Sequence, residues 1–139
     1  MSSSIDNQNI ISKLQTTDEN FPGLAPMVID SLGKQFYVRQ VQYLIAKDVD
    51  RLVDENYQDD AVLISADSTV RGKPALKEHF HNYFNRVTIK EVKSTDLFVE
   101  TDDTILFEAT VETNFGIAKV YDAMVLRDSK VAYHFTGAK

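Results

Sequence analysis

Residues 107–126, FEATVETNFGIAKVYDAMVL, decide the fold because they contain two β-strands joined by a turn. In the first strand the apolar residues Phe107, Ala109 and Val111 alternate with polar ones. A period of two with a clean split indicates a strand with one buried face. A turn at residues 114–117 then predicts an antiparallel hairpin whose inner face is apolar.

The predicted register of this hairpin places an acidic residue on the inner face. It pairs Glu112 with Lys119, a favourable cross-strand pair on the outer face. It also sets Ala109 opposite Asp122, so that Asp122 shares the apolar face with Met124. A lone carboxylate there is either a pocket acid whose charged form is disfavoured by burial, or a structural carboxylate hydrogen-bonded to the backbone or to a histidine. Asp122 is therefore the most informative residue of the sequence.

The turn before the last strand leaves two registers open. If residues 126–129 form a type I turn followed by a bulge, His134 lies on the inner face, across from the aspartate. If a two-residue turn is centred on residues 128–129, the parity flips, and Tyr133 and Phe135 face the core instead. The alternation alone does not choose between the two.

Three helical segments precede the hairpins. Apolar residues recur at three- and four-residue spacing over residues 26–47, Asp48 can cap a second short helix, and Pro74 opens a third. Predicted strands cover residues 61–64, a brief segment ending at 72, and residues 87–100, 104–114, 117–127 and 131–137. This order predicts an α+β fold, with three N-terminal helices packed on one face of an antiparallel sheet. Residues 1–22 are predicted to be a polar N-terminal arm and residues 23–139 a single domain.

Composition excludes several classes of function. The 139 residues carry a net charge of −6 and no cysteine, which argues against nucleic-acid binding and excludes a disulfide framework or a thiolate nucleophile. No apolar run approaches the roughly 20 residues that span a membrane, and the N-terminus does not resemble a signal peptide, so we expect a cytoplasmic protein. His79 and His81 cannot present both rings to one metal from a helix, and no phosphate-binding glycine loop is present. We expect neither a metal nor a cofactor.

Three segments resemble a known superfamily. Residues 48–63, the junction Arg71-Gly72-Lys73-Pro74-Ala75-Leu76 and residues 121–131 are similar to the opening, the strand-to-helix junction and the final hairpin of nuclear transport factor 2-like proteins. Ketosteroid isomerases and SnoaL-like cyclases belong to that superfamily. The resemblance covers roughly residues 29–137, and the order and spacing of the segments carry it. It implies a cone-shaped, curved antiparallel sheet packed against the three helices around one pocket.

The resemblance also implies roles for particular positions. Ketosteroid isomerases use an aspartate after the first strand as base, and they build the oxyanion hole from a tyrosine on the long helix and a protonated aspartate on the penultimate strand. That last aspartate matches Asp122, whereas Ser65 occupies the position of the base and Gln40 that of the tyrosine. SnoaL-like cyclases and scytalone-dehydratase-like enzymes carry pocket His and Asp residues on their last two strands. This favours the register with His134 and Thr136 inward.

The candidate site combines these residues. Asp122 and His134 are the candidate catalytic pair, His134 being either a general acid or base or a satisfied core histidine. Gln40 can contact a ligand or turn outward at the edge of its helix, and the second is favoured. The predicted pocket lining is Gln40, Tyr43, Tyr57, Ser65, His79, Phe80, Tyr83, Phe107, Ala109, Val111, Met124 and Thr136.

Two functions remain open. The favoured one is a small-molecule-binding domain that holds a hydrophobic ligand without catalysis, or that serves protein interaction. The alternative is a cofactor-free isomerase, dehydratase or cyclase acting on a hydrophobic carbonyl compound. In either case Tyr121, Ala123 and Val125 form an outward apolar run, which predicts a homodimer through the convex face of the sheet.

Overall fold

A computed structural model describes residues 28–139, so the predicted N-terminal arm and the predicted start of the first helix lie outside the described residues. Within these residues the helices are α1 (Leu32–Ala46), α2 (Val49–Asn56) and α3 (Lys73–Arg86). The strands are β1 (Tyr57–Ile64), β2 (Thr69–Arg71), β3 (Ile89–Glu100), β4 (Thr104–Thr113), β5 (Gly116–Arg127) and β6 (Lys130–Ala138). The α+β class and the three helices before the hairpins are confirmed.

Local chemistry sets the ends of the helices. The hydroxyl of Ser31 accepts the amide of Lys34 at 3.1 Å at the start of α1, and the carboxylate of Asp48 accepts the amide of Arg51 at 3.2 Å at the start of α2. Helix α3 follows Gly72, whose φ of 83° is open to glycine at little cost, and it has proline in its first turn. No helix within residues 28–139 has the length and apolar character needed to cross a membrane.

The six strands form one open sheet in the order β2-β1-β6-β5-β4-β3. All neighbours are antiparallel, as predicted for the sheet, except β1 and β6, which run parallel and make the sheet mixed. The alternation and turn residues of a hairpin predict pairing only between strands that follow one another in the sequence. The β1–β6 pair joins Tyr57 to Val131 across most of the domain and leaves no such pattern.

The β4–β5 hairpin differs from the predicted register by two residues. Asp122 lies opposite Phe107 rather than Ala109, and Lys119 lies opposite Thr110. The turn has the predicted length but lies one residue earlier, with Asn114 and Phe115 at its centre, and Gly116, at a φ of 105°, already pairs with Thr113. A shift of two residues preserves the face, so Asp122 still points inward.

The last hairpin combines features of both predicted registers. Its turn is the two-residue one, with positive φ at Asp128 and Ser129 (53° and 64°), as a type I′ turn requires. A bulge then leaves Ala132 without a partner between the pairs Leu126–Val131 and Val125–Tyr133. One extra residue restores the parity. The inward side chains are therefore those of the first register, with His134 buried and Tyr133 exposed.

The helices cover the inner face of the sheet and form the hydrophobic core with it. Fully buried core residues come from all three helices and from β1, β4, β5 and β6, and include Tyr37, Leu52, Leu63, Leu76, Ile105, Met124 and Val131. The outer face carries an apolar row across four strands at paired positions, formed by Val99, Leu106, Ala123 and Phe135. Three members of this outer apolar row are more than a third exposed.

Candidate functional site

A cavity of about 160 Å³ lies between α1, α3 and the inner face of the sheet. Most of its lining is apolar. Nine of the predicted lining residues lie there, namely Gln40, His79, Phe80, Tyr83, Phe107, Ala109, Val111, Met124 and Thr136, together with Asp122 and His134. The cavity is also lined by Tyr37, Val41, Leu44, Leu63, Ile89, Val92 and Val120, which the sequence interpretation had not assigned to it.

Three predicted lining residues do not reach the cavity. Tyr43 lies on the side of α1 that faces α2, where its hydroxyl donates to Glu55 at 2.6 Å. Ser65 follows the last residue of β1 and bonds to Ser68 in a turn. Tyr57 is fully buried behind the cavity wall, because it starts β1 where α2 packs against the sheet.

Asp122 and His134 are in direct contact. They occupy adjacent strands at diagonal positions, since Asp122 pairs with Thr136 and His134 pairs with Met124. The Nε2 atom of His134 lies 2.7 Å from Oδ1 of Asp122. Their side chains are 6% and 13% exposed, so the pair forms part of the cavity wall and is shielded from bulk water.

The other ring nitrogen of His134 is also bonded. Its Nδ1 atom lies 2.8 Å from the hydroxyl of Tyr57, which in turn accepts the amide of Gln40 at 3.0 Å. Gln40 is 1% exposed, so the interpretation that it turns outward was wrong. Its buried amide can remain in the core because both of its polar atoms have partners.

The chain of bonds continues away from the cavity. The amide of Asn56 donates to Gln40 at 2.9 Å, and Nε of Arg39 donates to Asn56 at 2.7 Å. Arg39 is only half-buried, whereas Asn56 is completely buried. We call the six residues Arg39, Asn56, Gln40, Tyr57, His134 and Asp122 the polar chain. Sequence analysis did not identify Arg39 and Asn56 as part of the site. A possible signal was that Asn56 is the one polar residue on the helix face that carries Val49, Leu52 and Val53.

Burial keeps the other titratable residues near the cavity neutral. It raises the pKa of Tyr37 to about 12, in spite of a hydrogen bond to Thr95. Burial also raises the pKa of Tyr83 and of Tyr57, and in each the nearby Asp122 adds to the effect. Burial lowers the pKa of His79. The lining that Asp122 shares therefore includes tyrosine hydroxyls and a neutral imidazole.

The lining offers little to a metal ion. Within residues 28–139, no group of three or more His, Cys, Asp or Glu side chains is arranged to hold one. The polar groups of the cavity are instead suited to hydrogen bonding and proton transfer.

Comparison with known proteins rests on structure alone, since no family model and no curated protein matches the sequence. An NTF2-like protein from Anabaena variabilis superimposes with a TM-score of 0.66 at 18% identity, over 78% of this chain and 87% of that one. A candidate isomerase from Bacillus subtilis gives 0.65 at 12% identity, over 78% and 86%. A candidate polyketide cyclase from Sinorhizobium meliloti gives 0.63 at 15% identity, over 74% and 94%.

At these identities the likeness concerns the fold. The three helices, the open six-stranded sheet and the cavity between them agree with it, and so does the resemblance found in the sequence. The chain has the nuclear transport factor 2-like fold, of the kind seen in SnoaL-like proteins.

Proposed function

We propose that this protein is a cofactor-free enzyme that moves a proton on a small, largely apolar carbonyl compound, with Asp122 as the base. The position of Asp122 carries this proposal. It is the single carboxylate in the described lining of the cavity, and its described hydrogen bond uses Oδ1 alone. The second oxygen is available to a bound molecule.

The reaction is redox-neutral. Asp122 removes a proton from a carbon next to the carbonyl, and the C–H electron pair forms an enolate whose charge rests on the carbonyl oxygen. The proton then returns from Asp122 to a carbon of the same molecule, which gives isomerisation. If the enolate carbon instead attacks a second carbonyl of that molecule, a ring closes and the proton goes to the new alkoxide. Neither route needs an oxidant or a reductant.

Three other residues of the lining can stabilise the enolate oxygen. Tyr83, His79 and Thr136 each present a hydrogen-bond donor, and the first two stay neutral for the reasons given above. Donors fixed in a water-poor site are the usual means of stabilising a developing oxyanion. His134 is not a base toward the substrate in this scheme because both of its ring nitrogens are already bonded.

The size of the cavity limits the substrate. An engineered apolar cavity of about 150 Å³ binds benzene, so about 160 Å³ suits a compound with a single ring. The descriptions of two similar structures, a candidate isomerase and a candidate polyketide cyclase, support the reaction class.

A specific observation also favours a second function, the binding of such a compound without reaction. The positions that hold the base and the oxyanion tyrosine in ketosteroid isomerases are Ser65 and Gln40 here. Ser65 lies outside the cavity, and both polar atoms of the Gln40 amide are engaged within the polar chain. The two usual catalytic groups are therefore missing from those positions.

Hydrogen–deuterium exchange separates the two functions. Small cyclic ketones and enones are incubated with the protein in D₂O, binding is followed by ligand-observed NMR, and exchange next to the carbonyl is followed by loss of the proton signal. The proposal expects at least one bound compound to exchange faster with the protein. Asp122→Asn should abolish that exchange and retain binding, whereas Asp102→Asn, at an exposed turn, should change neither. Binding without any accelerated exchange contradicts the enzyme and supports the binding protein.

A further inference from the structure

The polar chain has a direction that begins at Arg39. A guanidinium group can only donate hydrogen bonds. The partner of Arg39 in Asn56 is therefore the carbonyl oxygen, and the amide nitrogen of Asn56 must donate to Gln40. This assigns the oxygen of Gln40 to Asn56 and its nitrogen to Tyr57. The orientation of both buried amides follows from one cation.

The direction continues to the cavity. The oxygen of Tyr57 accepts a hydrogen bond from the Gln40 amide, so its own hydroxyl proton is directed to His134. Nδ1 of His134 must then be an acceptor, and the ring proton resides on Nε2, where it is donated to Asp122. Each bond of the chain points the same way, from the guanidinium of Arg39 to the carboxylate of Asp122.

A doubly protonated His134 does not fit this arrangement. A proton on Nδ1 would place two donors, from Gln40 and His134, against the oxygen of Tyr57. The Tyr57 hydroxyl would then lose its acceptor in a site with no exposure to water, and a buried donor without a partner is unfavourable. Burial also keeps Tyr57 protonated, because it raises the pKa of this residue.

We propose that Gln40 and Asn56 are positioning residues that hold His134 as the neutral Nε2–H tautomer, so that it donates to Asp122 and leaves one carboxylate oxygen facing the cavity. Their role in a reaction rests on the proposed function, but the tautomer itself does not. The polar atoms of both amides are engaged within the polar chain and not by the substrate in this scheme, so they act through Tyr57.

The other titratable groups around His134 are compatible with this tautomer. Asp122 faces it from β5, Tyr57 from β1 and His79 from α3, while Tyr37 and Tyr83 lie near Asp122. The described groups include no second carboxylate that would favour an imidazolium ion.

The proposal is tested by reversing the direction of the chain. Gln40→Glu has nearly the same shape, but a carboxylate can only accept. Glutamate at this position would accept hydrogen bonds from both Asn56 and the Tyr57 hydroxyl. The Tyr57 oxygen would then accept a hydrogen bond from a proton that stays on Nδ1 of His134. We expect His134 to become an imidazolium ion at neutral pH. Asn56→Asp should have the same effect by turning the Gln40 amide around, and the nearby Arg39 helps this variant to fold.

The measurement is long-range proton–nitrogen correlation NMR of the full chain with ¹⁵N-labelled histidine, and His134→Asn assigns the signal among the three histidines. The wild type should show one protonated and one unprotonated ring nitrogen, with the proton on Nε2. An imidazolium ion or the Nδ1–H tautomer in the wild type overturns the proposal. So does an unchanged neutral ring in a folded Gln40→Glu or Asn56→Asp variant, as judged by circular dichroism.

Gln42→Glu is the matched control, since it makes the same chemical change at an exposed position of α1. It should leave the wild-type pattern of His134 intact. Because no ligand is used, this result is independent of the exchange experiment. Absence of deuterium exchange would contradict the enzyme and leave the tautomer established, and a wrong tautomer would contradict the positioning role even if exchange were found.

Discussion

Removal of the Tyr57 hydroxyl should show how much the polar chain contributes to the free energy of unfolding. Tyr57→Phe keeps the ring, which packs against Phe80 and His134 at centroid distances of 5.9 and 6.0 Å. It removes the hydroxyl that joins Gln40 to His134, and so leaves one buried donor and one buried acceptor without partners. Each such group costs about 1–3 kcal/mol, and partial relaxation places the expected loss near 3 kcal/mol.

Urea denaturation followed by circular dichroism measures this loss. With a slope of about 1.5 kcal/mol per molar urea, a loss of about 3 kcal/mol lowers the midpoint by about 2 M. Tyr43→Phe is the matched control. It also removes one tyrosine hydroxyl, but this hydroxyl makes an exposed hydrogen bond to Glu55. Its effect should stay below about 0.5 kcal/mol. If Tyr57→Phe is no more destabilising than this control, the polar chain does not hold the core in the way described.

Two further predictions concern the surface. The carboxylate of Glu100 accepts the hydroxyl of Ser31 at 2.6 Å and the amide of Gly33 at 3.0 Å, which ties β3 to the first turn of α1. Glu100→Ala should therefore cost about 1 kcal/mol and lower the thermal midpoint by a few degrees, and an unchanged midpoint would contradict this anchoring role. The outer apolar row, together with the exposed Tyr121 beside it on the same face of β5, predicts a homodimer. Light scattering at micromolar concentration should therefore give about twice the 15.7 kDa of one chain, and Tyr121→Glu should return the mass to that of one chain. A wild-type mass near 15.7 kDa rejects the dimer.

The sequence was sufficient for the parts of the fold that depend on local patterns. Alternation along β4 and β5 identified the inner face, and capping residues such as Asp48 located the ends of helices. The prediction that Asp122 points inward was right although the predicted strand register was wrong by two residues. A shift by an even number of residues leaves a side chain on the same face of the sheet.

The pairing of β1 with β6 and the inward direction of His134 could not be derived in the same way. The first depends on contacts between residues far apart in sequence. The second depends on the bulge at Ala132, which restores a parity that the Asp128–Ser129 turn reverses. Neither the alanine nor its neighbours mark a bulge by composition. Only the resemblance to SnoaL-like proteins favoured the observed direction.

Gln40 shows a different limit of sequence interpretation. On a helix pattern alone, a glutamine at the edge of an apolar stripe is expected in water. Its burial becomes favourable only because Asn56 and Tyr57 arrive from α2 and β1 to satisfy both polar atoms of its amide. The partners lie 16 and 17 residues away, so no local window contains the reason for its position.

The composition of the polar chain is itself an argument about function. Apolar side chains of similar volume would fill the same space without the cost of desolvating amides, a hydroxyl and an imidazole. The chain includes three side chains that are at most 1% exposed, and its bonds fix the direction of every donor toward Asp122. Such an arrangement has little advantage for packing, but it orients one carboxylate and determines which of its oxygens remains accessible. That is the requirement of a base, or of a ligand contact with defined geometry, at the wall of the cavity.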